Sequence, residues 1–136
     1  MTVSEKLGQI SLTGCRILVI EDEYFLAEDI CTALKELGAD IIGPAGDLAD
    51  ATRILDSGQA IDAAVLDINL KNESIFPVAD GLRARSIPFL FTSGYERTAI
   101  ASRFKDVPLC EKPIDMAAMA RSLDRLIGQA GLNLVR

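Results

Sequence analysis

Hydrophobic and polar positions along this chain fall into blocks whose period switches repeatedly between strand-like and helix-like. Four blocks are apolar runs that end in polar groups. Arg16-Ile17-Leu18-Val19-Ile20 runs into Glu21-Asp22-Glu23, and Ala63-Ala64-Val65-Leu66 ends in Asp67. Ile87-Pro88-Phe89-Leu90-Phe91 runs into Thr92-Ser93-Gly94, and Val107-Pro108-Leu109-Cys110 runs into Glu111-Lys112-Pro113. Such runs read as strands buried on both faces, as in a parallel sheet. A charge inside one would be costly, whereas a charge at its carboxyl end meets solvent and ligands. Asp67 stands at that end of the central run.

Between the runs, apolar residues recur at helical spacing. A helix is expected over 23–37, with Leu26, Ile30, Leu34 and Leu37 on one stripe and Gly38 ending it. A second strand spans Asp40–Gly43, closed by Gly43-Pro44. Asp47 caps a helix over 48–57, with Leu48, Ala51 and Leu55 inward, and Gly58 ends it. The third strand covers 61–67, and a polar loop follows over 68–76. Pro77 suits the first turn of a helix over 78–85. The fourth strand is 88–92, and a short helix over 97–104 follows it. The fifth strand is 107–110, followed by a helix over 115–129, with Asp115 as cap and Met116, Met119, Leu123, Leu126 and Ile127 on one face. The pattern is βα five times over, which implies a parallel sheet, right-handed crossovers and helices on both faces. Residues 1–14 end in the turn signal Thr13-Gly14. They form either an amphipathic lead-in through Leu7, Ile10 and Leu12 or a frayed tail.

A chain of 136 residues with 49% hydrophobic and 25% charged residues fits one domain with a sufficient core of its own. Its 3 cysteines show no metal-ligand pairing. Cys31 and Cys110 read as small buried side chains, which suits a reducing compartment. Histidine is absent, which removes imidazole bases, histidine metal sites and Ser-His triads. A net charge of −6 argues against nucleic-acid binding through a basic face. No signal-peptide layout and no apolar run near the ~20 residues of a membrane span are present. The expectation is a soluble, cytoplasmic protein without membrane insertion.

Parallel strands would bring Glu21, Asp22 and Asp67 to one edge. Carboxylates that close repel one another unless something positive lies between them. Magnesium is the natural filler, because it takes oxygen ligands and is often held by one or two carboxylates, water and a phosphate. Without histidine or clustered cysteine, zinc is a poor match. Lys112 adds a fixed positive charge and Ser93 a hydroxyl. A carboxylate nucleophile, magnesium, a lysine and a hydroxyl can together move a phosphoryl group onto an aspartate.

At these positions the chain resembles the receiver domains of two-component response regulators, over about residues 15–130. The motifs that carry the resemblance are Ile20-Glu21-Asp22-Glu23, Leu66-Asp67-Ile68-Asn69, Thr92-Ser93-Gly94-Tyr95 and Lys112-Pro113. The resemblance implies a flavodoxin-like (βα)5 sandwich, a doubly wound α/β fold whose five-stranded parallel sheet has the order 2-1-3-4-5. It leaves 1–14 as an N-terminal extension and 131–136 as a tail. It implies that Asp67 is the phosphoacceptor and that Asp22 is a direct magnesium ligand. Glu21 acts near the metal through water, and the backbone carbonyl of Asn69 completes the metal shell. Lys112 pairs with the phosphoryl group, and the Lys112-Pro113 bond is cis. Side chains alternate along a strand, so only one of Thr92 and Ser93 faces the site. In relatives the hydroxyl usually follows the strand's proline by five positions, which selects Ser93 after Pro88, with Gly94 leaving room for the phosphoryl group.

Some positions depart from the common pattern. Glu21 replaces the usual aspartate. Leu109 stands where many relatives carry an aromatic switch residue. Phe91-Thr92-Ser93-Gly94-Tyr95 resembles the Phe-Ala-Thr-Gly-Tyr signature of stand-alone alphaproteobacterial receivers, which makes Tyr95 the alternative switch candidate.

The implied function is that of a single-domain response regulator. It takes a phosphoryl group from a histidine kinase or histidine phosphotransferase. It signals through a downstream protein partner or onward phosphotransfer, with a homodimer allowed and no direct nucleic-acid contact. It would catalyse its own phosphorylation and dephosphorylation rather than turn over an external substrate. Two other readings share the fold: a receiver-like binding module that is never phosphorylated, and a magnesium-dependent phosphohydrolase. The latter usually needs a second acid beside its nucleophile, and Ile68-Asn69 lacks it.

Overall fold

A computed structural model of the chain describes residues 10–71, 73–94 and 100–135. Strands β1 (Arg16–Ile20), β2 (Asp40–Ala45), β3 (Ala63–Asp67), β4 (Phe89–Ser93) and β5 (Leu109–Glu111) form one sheet in the order β2-β1-β3-β4-β5. All four pairings are parallel. Helices α1 (Tyr24–Glu36), α2 (Leu48–Asp56), α3 (Phe76–Ala84) and α4 (Met116–Val135) cover it. This is the expected doubly wound α/β fold with the expected strand order.

Two apolar layers sandwich the sheet. On one face Leu18, Ile20, Ala64, Leu66, Phe89 and Phe91 pack with Ala51 and Leu55 of α2, Val78, Ala79 and Leu82 of α3, and Phe104. On the other, Ile17, Val19, Ala63, Val65 and Leu90 pack with Ile30 and Leu34 of α1 and with Met119, Ala120 and Leu123 of α4. Odd and even strand positions therefore serve different helices, as the two-residue period requires. Leu12 belongs to the second layer, and its N–H donates to Leu37 O at 2.8 Å, so the end of the lead-in packs on the domain.

The local signals act as expected in most places. Asp47 caps α2 by accepting from Asp50 N at 2.8 Å, and Pro77 lies in the first turn of α3. Gly38 adopts a left-handed φ of 96° just past α1. Three elements differ from the sequence reading. Strand β2 does not close at Gly43-Pro44 but continues to Ala45. The Gly43–Pro44 bond is cis, Gly43 has φ +94°, and the register with β1 slips there. A side chain on Gly43 would meet Ala45 N at 2.7 Å, so this bulge needs glycine. Proline is tolerated because β2 lies at the sheet edge.

The helix expected over 97–104 is, among the described residues, a 3-10 turn at Ser102–Phe104, and 97–99 fall outside them. Phe104 is drawn into the first layer among Phe76, Phe89 and Phe91. Helix α4 runs past Gln129 to Val135, because Gly128 and Gly131 lower helix propensity without ending a helix. No helix among the described residues is long and apolar enough to cross a membrane.

Candidate functional site

Alternation along the strands assembles the site. Ile17 and Val19 face α1 and α4, and two residues further on comes Glu21. Ala63 and Val65 lead likewise to Asp67, and half-buried Cys110 to Lys112. The strands are parallel and in register, so these ends meet at one edge, with Ile20 opposite Leu66. Glu21, Asp22 and Asp67 can each bring one carboxylate oxygen within 4.8 Å of the others. Asp22 is half-buried, whereas the side chains of Glu21 and Asp67 are 1% exposed.

One ammonium serves this group. Lys112 Nζ lies 3.2 Å from Glu21 Oε1, 3.2 Å from Asp67 Oδ2 and 3.5 Å from Glu23 Oε1, with its side chain 15% exposed. The peptide bond between Lys112 and Pro113 is cis, as the resemblance implied. Lys112 N donates to Ser93 O at 2.8 Å, tying the lysine to the end of β4. Backbone N–H groups complete the shell: Asn69 N donates to Asp67 Oδ1 at 2.9 Å, and Glu23 N to Glu21 Oε2 at 3.0 Å.

The charge balance is unequal. Burial, reinforced by the charge of Asp67, pushes the Glu21 carboxyl up to about 8, although Glu23 N and Lys112 pull the other way. Burial would pull Lys112 down, but Asp67 and Glu21 together hold it above its ordinary value. Burial is the larger cause at Glu21, and the crowding of carboxylates around Lys112 adds to it. The donor set is all oxygen, and hard oxygen donors with surplus negative charge fit magnesium.

The structure brings together Glu21, Asp22, Asp67 and Lys112, and it places the other candidates around them. Asn69 is exposed, and its side-chain Oδ1 lies 3.4 Å from Gly94 N, reaching from the β3 loop to the end of β4. Ser93 is the last residue of β4 and is buried; its hydroxyl donates to Gly94 O at 3.4 Å. Ser93 follows Phe89 and Phe91 in the alternation of β4, and its Cα is paired with that of Glu111. Thr92 is the residue whose Cα is paired with Asp67. Tyr95 lies outside the described residues. One contact was missed by the sequence reading: Glu23 pairs with Lys112, and its place directly after the acidic pair was the available signal. Thr92, set aside there in favour of Ser93, is the residue in register with Asp67.

No family model matches the chain. Among curated proteins it is similar to the phyllosphere-induced regulator PhyR of Methylorubrum extorquens, at 28% identity over 114 residues, covering 82% of this chain and 43% of that protein. The chain thus spans less than half the length of the curated relatives it matches. Among solved structures it is similar to SdrG from Sphingomonas melonis, at 37% identity, 87% coverage of this chain, 99% of that one, and a TM-score of 0.71. SdrG is also solved in a BeF3-activated conformation, at 36% identity and a TM-score of 0.68. A response regulator receiver protein from Sinorhizobium medicae matches at 27% identity, 88% coverage of this chain, 99% of that one, and a TM-score of 0.73.

Proposed function

The chain belongs to the response regulator receiver family, and from that premise we propose that Asp67 accepts a phosphoryl group from a histidine kinase or histidine phosphotransferase. The observation that carries this reading is the Lys112 ammonium, the one cation paired with this group among the described residues, held 3.2 Å from both Glu21 and Asp67 in a group of three converging carboxylates. A site built only for stability would match its charges.

Asp67 is the nucleophile. One of its oxygens forms the new bond to phosphorus as the bond to the donor imidazole nitrogen breaks. Asn69 N and Lys112 orient the carboxylate from two sides. Lys112 then follows the charge outward onto the phosphoryl oxygens, and the Ser93 hydroxyl turns from Gly94 O to the same group. Glu21, Asp22, Asp67 and the Asn69 carbonyl are the groups that would hold magnesium. When bound, the metal supplies the missing positive charge for the transferring oxygens.

Phosphorylation adds about −1.5 to −2 of charge and three strong acceptor oxygens. The response is a population shift around β4, the 3-10 turn and β5. Output passes to a downstream protein partner or onward along a phosphorelay. The BeF3-activated conformation solved for SdrG supports such a shift in a similar chain.

Intact mass of the protein, incubated with a small acyl phosphate and magnesium, tests the reading. One added phosphoryl group is expected, absent in EDTA and absent in Asp67→Ala. A modified Asp67→Ala protein would move the acceptor elsewhere. Leu109, aliphatic at the usual switch position, favours one other reading, a binding module used unphosphorylated. Equal partner affinity with and without phosphorylation would select it.

A further inference from the structure

We infer that Thr92 is a positioning residue for this reaction, its buried hydroxyl holding the Lys112 ammonium over Asp67 from the sheet side of the site. The inference rests on the reading of Asp67 as the phosphoacceptor. Four observations carry it. Thr92 is 1% exposed, and its Oγ1 has no hydrogen-bond partner among the described residues. Its Cα is in register with Asp67 on one side and with Cys110 on the other. It continues the alternation of Leu90 on the α1/α4 face, which also leads to Glu21, Asp67 and Lys112. Finally, β4 lies between β3 and β5, so Lys112 must pass over β4 to reach Asp67, and the β4 residue at that level on that face is Thr92.

An orphaned buried hydroxyl is uncommon and costs stability, so its presence calls for a reason, such as a role in the reaction. Valine has nearly the shape of threonine and would fill this place without the cost. On the same face Glu21 Oε1 is ion-paired with Lys112 at 3.2 Å, so the ammonium that Thr92 would hold already lies against this side of the site. In the resting site Lys112 is drawn inward by Glu21 and Asp67 and outward by exposed Glu23. Phosphoryl transfer changes this balance. As the P–O bond forms at one Asp67 oxygen, the bond from phosphorus to the donor breaks and its electron pair leaves with the donor. Asp67 Oδ2 then loses much of its charge as a partner. As Lys112 follows the charge onto the phosphoryl oxygens, the Thr92 oxygen accepts one ammonium hydrogen, keeping the lysine over the reacting group instead of releasing it toward Glu23 and solvent.

The test compares wild type, Thr92→Val and Thr92→Ser with acetyl phosphate and magnesium, following phosphoprotein by intact mass and, separately, melting of the protein in EDTA. Thr92→Val is expected to lower the maximal phosphorylation rate about tenfold, the scale of one hydrogen bond to a charged group, with the half-saturating donor concentration unchanged. Its melting temperature in EDTA should equal or exceed that of wild type, because an orphaned hydroxyl is gone. Thr92→Ser should return the rate to within about twofold of wild type, since it restores the hydroxyl without the methyl. A Thr92→Val protein that reacts at the wild-type rate would overturn the inference, as would a Thr92→Ser protein as slow as Thr92→Val. If Thr92→Val melts early while Thr92→Ser melts normally and reacts slowly, the residue is structural and the inference fails. A wild-type protein that takes no phosphoryl group under any donor removes the reading of Asp67 as phosphoacceptor, a different outcome from a wild type that reacts and a valine variant that keeps pace.

Discussion

Two clusters of cations in this domain are built in opposite ways. Arg83 and Arg103, beside the 3-10 turn, are matched one to one. Arg103 grips Asp80 with Nε and Nη2, both at 2.9 Å, and Arg83 meets both oxygens of Asp106 at 3.2 Å. Each guanidinium lies over the Phe104 ring, at 4.7 Å for Arg103 and 5.1 Å for Arg83. Lys112, at the strand ends, is outnumbered, with Glu21, Asp67 and Glu23 around one ammonium. The carboxyls respond with opposite signs. The hydrogen bond from Arg103 holds Asp80 below its usual range, while burial pushes Glu21 up to about 8. A matched cluster fastens a chain segment. An unmatched, buried one waits for something to complete it.

Three measurements would break or sharpen that contrast. Phe104→Ala should cost about 3–5 kcal/mol in urea unfolding, because the ring is fully buried among three other phenylalanines. Phosphorylation of the folded fraction should persist; if it vanished, the two clusters would be one unit. The second concerns pH. With its carboxyl raised to about 8, Glu21 holds a proton in the folded protein over a range where the unfolded chain, near 4.5, has released it. Stability from this group is thus fully present below about 4.5 and is lost as pH rises through about 8. In EDTA the melting temperature should fall by about 5 °C across that range, and Glu21→Gln or saturating magnesium should flatten the slope. A level profile in wild type would show that the site carries no surplus charge. The smallest effect belongs to Asp80→Asn, which should barely move the urea midpoint, and the shift should shrink further in salt, since that pair is exposed.

Most of the fold was readable because each strand is a run of buried residues whose end chemistry differs from its middle. Alternation then carried Glu21, Asp67 and Lys112 to one edge without knowledge of any contact. What escaped the sequence depended on distant partners. Strand β2 passes through Gly43-Pro44 because it is an edge strand, which only the assembled sheet reveals. The segment 97–104 has helical spacing, yet Phe104 is taken by aromatic partners on other elements. The link from Glu23 to Lys112 joins residues far apart in the chain. Spacing from Pro88 in relatives selected Ser93, which ends β4 at its rim, while the β3–β4 register pairs Thr92 with Asp67, a pairing the linear spacing does not reveal. The two hydroxyls are thus candidates for different tasks, Ser93 toward the phosphoryl oxygens and Thr92 beneath the lysine.

The most direct test is to trap the modified residue chemically. The protein would be phosphorylated with a small acyl phosphate, and in parallel by a phosphorylated histidine phosphotransferase, in magnesium and in EDTA. Borohydride reduces an aspartyl phosphate to homoserine, and peptide sequencing by mass then locates it. Homoserine at position 67 alone, present in magnesium and absent in EDTA, is the predicted result. A phosphoryl group on Asp22 or Ser93, or none at all from either donor, would contradict the assignment of Asp67 as the acceptor.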